Sequence, residues 1–155
     1  MRVAYLSLGT NIGDRGAKLD GALSTLSAGD AYRLSNVYET QPVGGVIQDD
    51  FWNMVMEITT EASADELLAR ARRAEEDAHR TREVRWGPRT LDVDVLLVGD
   101  EVRSDPELTL PHPRMHERAF VLRPLRELAP ELVSDEQLAS AVGDVVELGT
   151  LSSLR

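Results

Sequence analysis

The run from Arg2 to Leu8 is mostly apolar and stops at Gly9-Thr10-Asn11-Ile12-Gly13, a cluster of turn formers, so it predicts a first strand closed by a turn. The period then changes. Leu19, Ala22, Leu23 and Leu26 recur at i, i+3, i+4 and i+7, the apolar face of a helix from about Asp14 to Ala28. Tyr32 to Glu39 and Phe51 to Thr59 predict two strands, the second with Val55 and Ile58 among its apolar residues. Between them, Thr40 to Asp50 contains Gln41-Pro42-Val43-Gly44-Gly45, which suits neither a helix interior nor a central strand and predicts a loop. Ser63-Ala64-Asp65-Glu66 has the form of a capping box, and the stripe Ala64, Leu67, Leu68 and Ala71 behind it predicts a second helix running to about Ala78.

Leu91, Val93, Val95, Leu96, Leu97 and Val98 then form an apolar stretch interrupted by two acids, which predicts a strand over 92–98. Gly99-Asp100-Glu101 turns the chain toward a short ribbon ending at Leu108-Thr109-Leu110. A helical turn is expected from Met115, and a last helix over about 134–141 precedes a polar tail. The core order is strand, helix, strand, strand, helix, strand, with further helices after it. This order points to an α+β fold with a ferredoxin-like βαββαβ core, an antiparallel sheet with helices on one face and additional C-terminal helices. With no internal repeat and no linker-like segment, residues 1–155 are expected to form a single domain.

Composition narrows the function classes. Hydrophobic content of 42% and charged content of 28% are ordinary for a soluble globular protein, and no apolar run approaches the roughly 20 residues of a membrane span. Arg2 to Leu8 is too short for the core of a secretory signal with its cleavage site, so a cytoplasmic location is expected. The absence of cysteine fits that compartment and excludes disulfides, thiolate metal sites and cysteine nucleophiles. A net charge of −10 argues against broad nucleic-acid binding. Yet seven of the seventeen Lys and Arg residues fall between Arg70 and Arg89, so the expected partner is a small anion; no nucleic acid, no membrane and a monomeric chain are anticipated.

That local charge leads directly into the candidate chemistry. Arg80-Thr-Arg-Glu-Val-Arg-Trp-Gly-Pro-Arg-Thr-Leu-Asp-Val-Asp94 places Arg80, Arg82, Arg85, Arg89 and Trp86 just before Asp92 and Asp94. Two residues apart on a strand, both carboxylates leave the same face. Two ionised groups that close repel and are costly to desolvate unless a counter-charge lies between them, and a hard divalent cation such as Mg2+ supplies it. Planar guanidinium forks match phosphate oxygens. Residues alone therefore point to a Mg2+-dependent, phosphate-handling α+β domain.

The sequence closely resembles the 6-hydroxymethyl-7,8-dihydropterin pyrophosphokinase family over nearly its whole length. The resemblance is carried by Gly9-Thr10-Asn11, by Tyr38 to Gly44, by Phe51-Trp52-Asn53, by Arg80 to Asp94, and by Pro111-His112-Pro113 followed by Arg118-Ala119-Phe120-Val121-Leu122. It implies transfer of diphosphate from ATP to a pterin alcohol, with AMP released, in folate biosynthesis. It assigns two Mg2+ ions to Asp92 and Asp94, and the ATP clamp to Arg80, Arg82, Arg85 and Arg89, with His112 and Arg118 near the phosphates. Asp92, Asp94, Arg80 and Arg89 are implied to act in the transfer itself. Arg72, Glu75, Val95 and Thr109 match positions facing the nucleotide, and Thr40, Val43, Asn53 and Phe120 match pterin contacts, with Phe51 and Trp86 as aromatic neighbours. Pro113 stands where some relatives have tyrosine, which removes a hydroxyl.

Blander readings stand beside these. Asp92 and Asp94 could be two solvated carboxylates on a strand, and some of the arginines could be surface partners of Glu75, Glu76 and Glu83. Trp86 could be core or the ring of a lid that closes over substrate. Phe51 and Phe120 could be core aromatics or stacking faces for a pterin, and His112, between two prolines, could be purely structural. Asn53, polar among apolar neighbours, needs a hydrogen-bond partner, and its amide offers the donors and acceptor a pterin edge requires. Rival functions are a nucleotidyl or glycosyl transferase with the same Asp-x-Asp metal logic, which would release a different leaving group, and a non-catalytic RNA-binding sheet.

Overall fold

The central element is β1 (Arg2–Thr10), which pairs antiparallel with β4 (Phe51–Thr60) on one side and β5 (Asp92–Val98) on the other. In this computed structural model residues 1–41, 50–80 and 91–154 are described, the side chains of 79 and 80 excepted. Residues 42–49, where a loop was expected, and the arginine-rich stretch 81–90 thus lie outside the described set. β1 continues through Gly9 and Thr10, past the turn expected there, because both are paired with β4, Gly9 opposite Asn53 and Thr10 opposite Trp52.

α1 (Arg15–Ser27) crosses from β1 to β2 (Ala31–Leu34) and β3 (Val37–Thr40), both of which pair with β4, and α2 (Ala64–Arg80) crosses from β4 to β5. The sheet order is β5-β1-β4-β3, with β2 beside β3 along the same edge of β4. This is the expected βαββαβ arrangement. The single strand expected over 32–39 is broken at Ser35 and Asn36. The reason is local: the Ser35 hydroxyl accepts the Val55 N–H at 2.9 Å, substituting for a main-chain partner, while Ser35 N–H donates to the Val55 carbonyl at 2.9 Å.

Alternation along the strands sorts two cores. Ala4, Leu6, Leu8, Met54, Met56, Ile58, Val93 and Val95 face α1 and α2, burying Leu19, Leu23, Leu26 and Leu67. Tyr5, Val55 and Leu96 face the other way, against Val121, Leu122 and Leu125 of α3 (Ala119–Leu128). Helices therefore cover both faces, where one was expected, since the C-terminal helix carries its own apolar stripe. The pairing register of β5 shifts between Tyr5 and Leu6, and this bulge returns Val98, three residues after Val95, to the α1/α2 face.

Beyond a short ribbon, β6 (Arg103–Ser104) with β7 (Thr109–Leu110), and the capped helix α4 (Asp135–Ser140), the polar tail forms a strand. β8 (Val145–Gly149) pairs antiparallel with β3, Val145 opposite Thr40, and extends the sheet to six strands. Among the described residues no helix is long and apolar enough to cross a membrane.

One polar row braces the α3 face. Tyr5 hydroxyl donates to Glu57 at 2.9 Å, Arg33 meets both Glu57 oxygens at 2.8 Å, and Arg33 also reaches the Leu128 carbonyl at 3.2 Å. Burial, then the Glu57 hydrogen bond, pushes the Tyr5 phenol up to about 12, while Arg33 holds the Glu57 carboxyl below its ordinary 4.5. A depressed carboxylate stabilises the fold above its unfolded value and loses that contribution as pH falls through the folded one. Glu57→Gln is therefore expected to melt several degrees below the parent at neutral pH, with the gap closing below about pH 4. Melting temperatures across that range check this, and a gap that stays constant with pH would refute it.

Candidate active site

Register determines which side chains meet at the end of the sheet where β1 finishes. Gly9 lies opposite Asn53 on one side and Asp92 on the other, and Tyr38 lies opposite Asn53 one strand further. In the next row Ser7 lies between Asp94 and Val55. Side chains of paired residues share a face, so Asp92, Asp94, Asn53, Thr40 and Phe51 all emerge on the α3 face of the sheet. Asp92 is exposed and Asp94 half-buried. Asn53 is 4% exposed, and its Nδ2 donates to Thr40 Oγ1 at 3.1 Å.

α3 brings the remaining groups over this end. Arg118, the residue before the helix, has its guanidinium carbon 5.6 Å from the Phe120 ring centre, and Phe120 packs at the rim of the α3 core. The segment after α4 pins the start of α3: Val142 N–H donates to the Glu117 carbonyl at 2.8 Å, and Ala119 N–H donates to the Val142 carbonyl at 3.1 Å. Three residues later Val145 pairs with Thr40. One short stretch of chain thus ties down both Arg118 and Thr40, and nothing in the composition of the tail signals it.

His112 is held from two sides. Its N–H donates to the Leu96 carbonyl at 2.9 Å, and its ring Nδ1 accepts the Arg114 N–H at 3.2 Å. With Nδ1 accepting, the proton of the neutral ring sits on Nε2, which is 3.9 Å from Asp94 Oδ1. Burial lowers the His112 pKa, Asp94 opposes that, and Arg118 and Arg114 add to the lowering. The imidazole therefore presents an N–H donor beside the carboxylates.

The other expected positions that are described lie on α2, β5 and β7. Glu75 Oε2 accepts the Val93 N–H at 3.0 Å, anchoring the start of β5 to α2. Val95 is 3% exposed in the α1/α2 core, so only its backbone borders the site. Arg72 lies exposed on α2, and Thr109 is half-buried on β7, its hydroxyl donating to the Asp105 carbonyl at 3.4 Å. Arg80 ends α2 with its side chain outside the described set, and Val43, Arg82, Arg85, Trp86 and Arg89 also lie outside it.

A cluster that the sequence did not single out braces the same strand ends from the opposite face. Arg15 stacks over Trp52 with its guanidinium carbon 4.6 Å from the ring centre, donates to the Asp50 carbonyl at 2.6 Å, and lies 3.8 Å from Glu39. Trp52 Nε1 donates to Glu39 at 3.1 Å. A cation in the first turn of a helix opposes the helix dipole, which was the one available signal that Arg15 is held there by something else.

Among the described residues no three His, Asp or Glu side chains converge as a metal cage. Two carboxylates two residues apart still fit Mg2+, which takes hard oxygen donors and is commonly bound by one or two carboxylates plus substrate phosphates and water. Chemically, the end of the sheet offers an oxygen pair for a cation, an N–H donor on His112, a cation on Arg118, and a buried amide and hydroxyl on Asn53 and Thr40.

The sequence profile of the 7,8-dihydro-6-hydroxymethylpterin-pyrophosphokinase (HPPK) family matches residues 5–130. A 2-amino-4-hydroxy-6-hydroxymethyldihydropteridine pyrophosphokinase from Bacillus subtilis is 44% identical over 145 residues, covering 92% of this chain and 86% of the relative. The enzyme of that name from Methylorubrum extorquens is 46% identical over 136 residues, covering 86% of each. A solved structure of an HPPK-DHPS protein in complex with substrates superposes with a TM-score of 0.64 at 11% identity. That likeness concerns the fold, and it spans 99% of this chain but 42% of the longer one. With the profile spanning most of its length and relatives above two-fifths identical along it, the chain belongs to the HPPK family.

Proposed function

We propose that residues 1–155 form one pyrophosphokinase domain that moves diphosphate from ATP to the hydroxymethyl oxygen of 6-hydroxymethyl-7,8-dihydropterin in folate biosynthesis. The hydroxymethyl oxygen attacks the β-phosphorus in line, the bond from the β-phosphorus to the oxygen bridging the α-phosphorus breaks, and AMP leaves with that oxygen while the hydroxyl proton passes to solvent. That the chain is an enzyme of the pyrophosphokinase class follows from its family membership. The observation that supports the finer reading is the shared face of Asp92, Asp94, Asn53 and Thr40, with Asn53 two strands from the carboxylates across Gly9 and Thr40 one strand further. Two strand spacings, about 10 Å, leave room for a fused bicycle between the amide and the carboxylates.

Two Mg2+ ions on Asp92 and Asp94 would neutralise phosphate oxygens and acidify the acceptor hydroxyl. The chain's own groups do the rest by position. Asn53 and Thr40 fix the pterin edge, Phe51 and Phe120 offer flat faces, and Val43 and Trp86 are assigned to the same substrate. Neutral His112 donates an N–H to phosphate oxygen beside Asp94, and Arg118, Arg80, Arg82, Arg85 and Arg89 clamp the triphosphate. Arg72, Glu75, Val95 and Thr109 border the nucleotide. No side-chain base is required, and catalysis is positioning plus charge stabilisation.

The direct test incubates the protein with ATP, Mg2+ and the pterin and resolves nucleotides by chromatography. AMP forming in step with pterin diphosphate is expected, whereas ADP or free pyrophosphate as the coupled product would refute the assignment. Asp92→Ala and Asp94→Ala are each expected to lower kcat by at least about a hundredfold with the fold intact. Near-parental turnover in either variant would remove that residue from the metal site.

A further inference from the structure

Along the face that carries the site, the central strand reads Tyr5, Ser7, Gly9, a steady loss of side-chain volume toward the carboxylates. Gly9 is the extreme case. Its φ is not in the left-handed region, unlike those of Gly13, Gly29, Gly99, Gly143 and Gly149, so its backbone conformation does not require glycine. Glycine inside a strand is otherwise a weak choice, tolerated where something must approach the backbone closely. Here the close neighbour is identifiable: a β-carbon on Gly9 would lie 2.6 Å from Asn53 Oδ1 and 3.7 Å from Asn53 Cγ. The third nearest atom, the Trp52 carbonyl oxygen at 3.9 Å, is also on β4. The obstruction therefore falls on Asn53 alone.

We infer that Gly9 is a positioning residue of the pterin site, kept without a side chain so that the Asn53 amide can lie over the β1 backbone in the orientation that binds substrate. Asn53 has little freedom to yield. It is 4% exposed, and its Nδ2 is already committed to Thr40 Oγ1 at 3.1 Å. Swinging the amide clear of a β-carbon breaks that bond and re-aims both the carbonyl and the amino group, the two elements that a pterin edge reads. Gly9 thus acts through Asn53 and is a positioning residue. The inference rests on the assignment of Asn53 to the pterin, and the experiment separates the two.

Gly9→Ala, Asn53→Ala and the double variant are compared with the parent by calorimetric titration of 6-hydroxymethyl-7,8-dihydropterin in the presence of Mg2+ and a non-hydrolysable ATP analogue. Asn53→Ala and Gly9→Ala are each expected to weaken pterin binding by about tenfold to a hundredfold, the scale of lost buried hydrogen bonds. The double variant is expected to bind no more weakly than Asn53→Ala, because the side chain that the methyl displaces is gone. Affinity for the ATP analogue alone should stay within about twofold throughout.

Parental pterin affinity in Gly9→Ala, or losses that multiply in the double variant, would overturn the role of Gly9 while leaving Asn53 a pterin contact. Parental affinity in Asn53→Ala would remove the pterin assignment and the inference together. If Gly9→Ala fails to fold, the melting temperature of the double variant decides. Recovery to that of Asn53→Ala supports an obstruction confined to Asn53, and failure of the double variant as well overturns it.

Discussion

Everything at the site depends on the register of β1. This strand is paired on both sides, and because strand side chains alternate with a period of two, a slip of one residue against β5 would turn Asp92 and Asp94 into the α1/α2 core and bring Val93 and Val95 out. Such a slip would bury two charges and expose two valines, so the hydrophobic core enforces the parity that the chemistry needs. The same register places Gly9 between Asn53 and Asp92, which makes β1 both the spacer between the two halves of the site and its floor.

The strand ends are then held from outside the sheet. On the α1/α2 face, Arg15, Trp52 and Glu39 fix the pair formed by Glu39 and Trp52, whose immediate neighbours Thr40, Phe51 and Asn53 point to the opposite face. At the sheet edge β8 pairs with Thr40, and Val142 pairs with Arg118 before α3. Glu75 ties the first residues of β5 to α2. Each of these contacts restricts a residue assigned to a substrate or the immediate neighbour of one. A reaction that relies on position more than on a side-chain base needs such restraint, since small misplacements are costly where the rate comes from alignment.

Much of this was legible in the sequence where a local pattern decides the outcome. The helical stripe at Leu19, Ala22, Leu23 and Leu26, the Ser63 hydroxyl that accepts the Glu66 N–H at the start of α2, and the period-two spacing of Asp92 and Asp94 each report on their own immediate surroundings, and the structure follows them. The illegible parts are those settled by a distant partner. Gly9 looks like the start of a turn and is held in the strand by two neighbouring strands. Ser35 looks like ordinary strand and breaks it, because its hydroxyl takes a main-chain role opposite Val55. Val145 to Gly149 is short and half-exposed, with a pattern that no periodicity test could separate from a tail, and it becomes a strand only because the edge of β3 is available. The resemblance carried the assignment of residue roles, while the geometry that connects Arg15 to Trp52 or Gly9 to Asn53 could not be read from spacing at all.

The electrostatic division of the chain follows the same logic. A chain of net charge −10 repels other polyanions, while its arginines between Arg70 and Arg89 concentrate positive charge in one stretch of sequence. Close to the carboxylates, His112 turns its ring Nε2 toward Asp94 Oδ1 at 3.9 Å, and its lowered pKa favours the neutral ring over an imidazolium. Burial lowers its pKa against the pull of Asp94, and Arg118 and Arg114 push in the same direction as burial. An arginine carries positive charge at any working pH, whereas a neutral histidine contributes only a directed N–H. That separation divides the work by residue type, with charge carried by groups that do not titrate and direction carried by a ring whose orientation two hydrogen bonds fix.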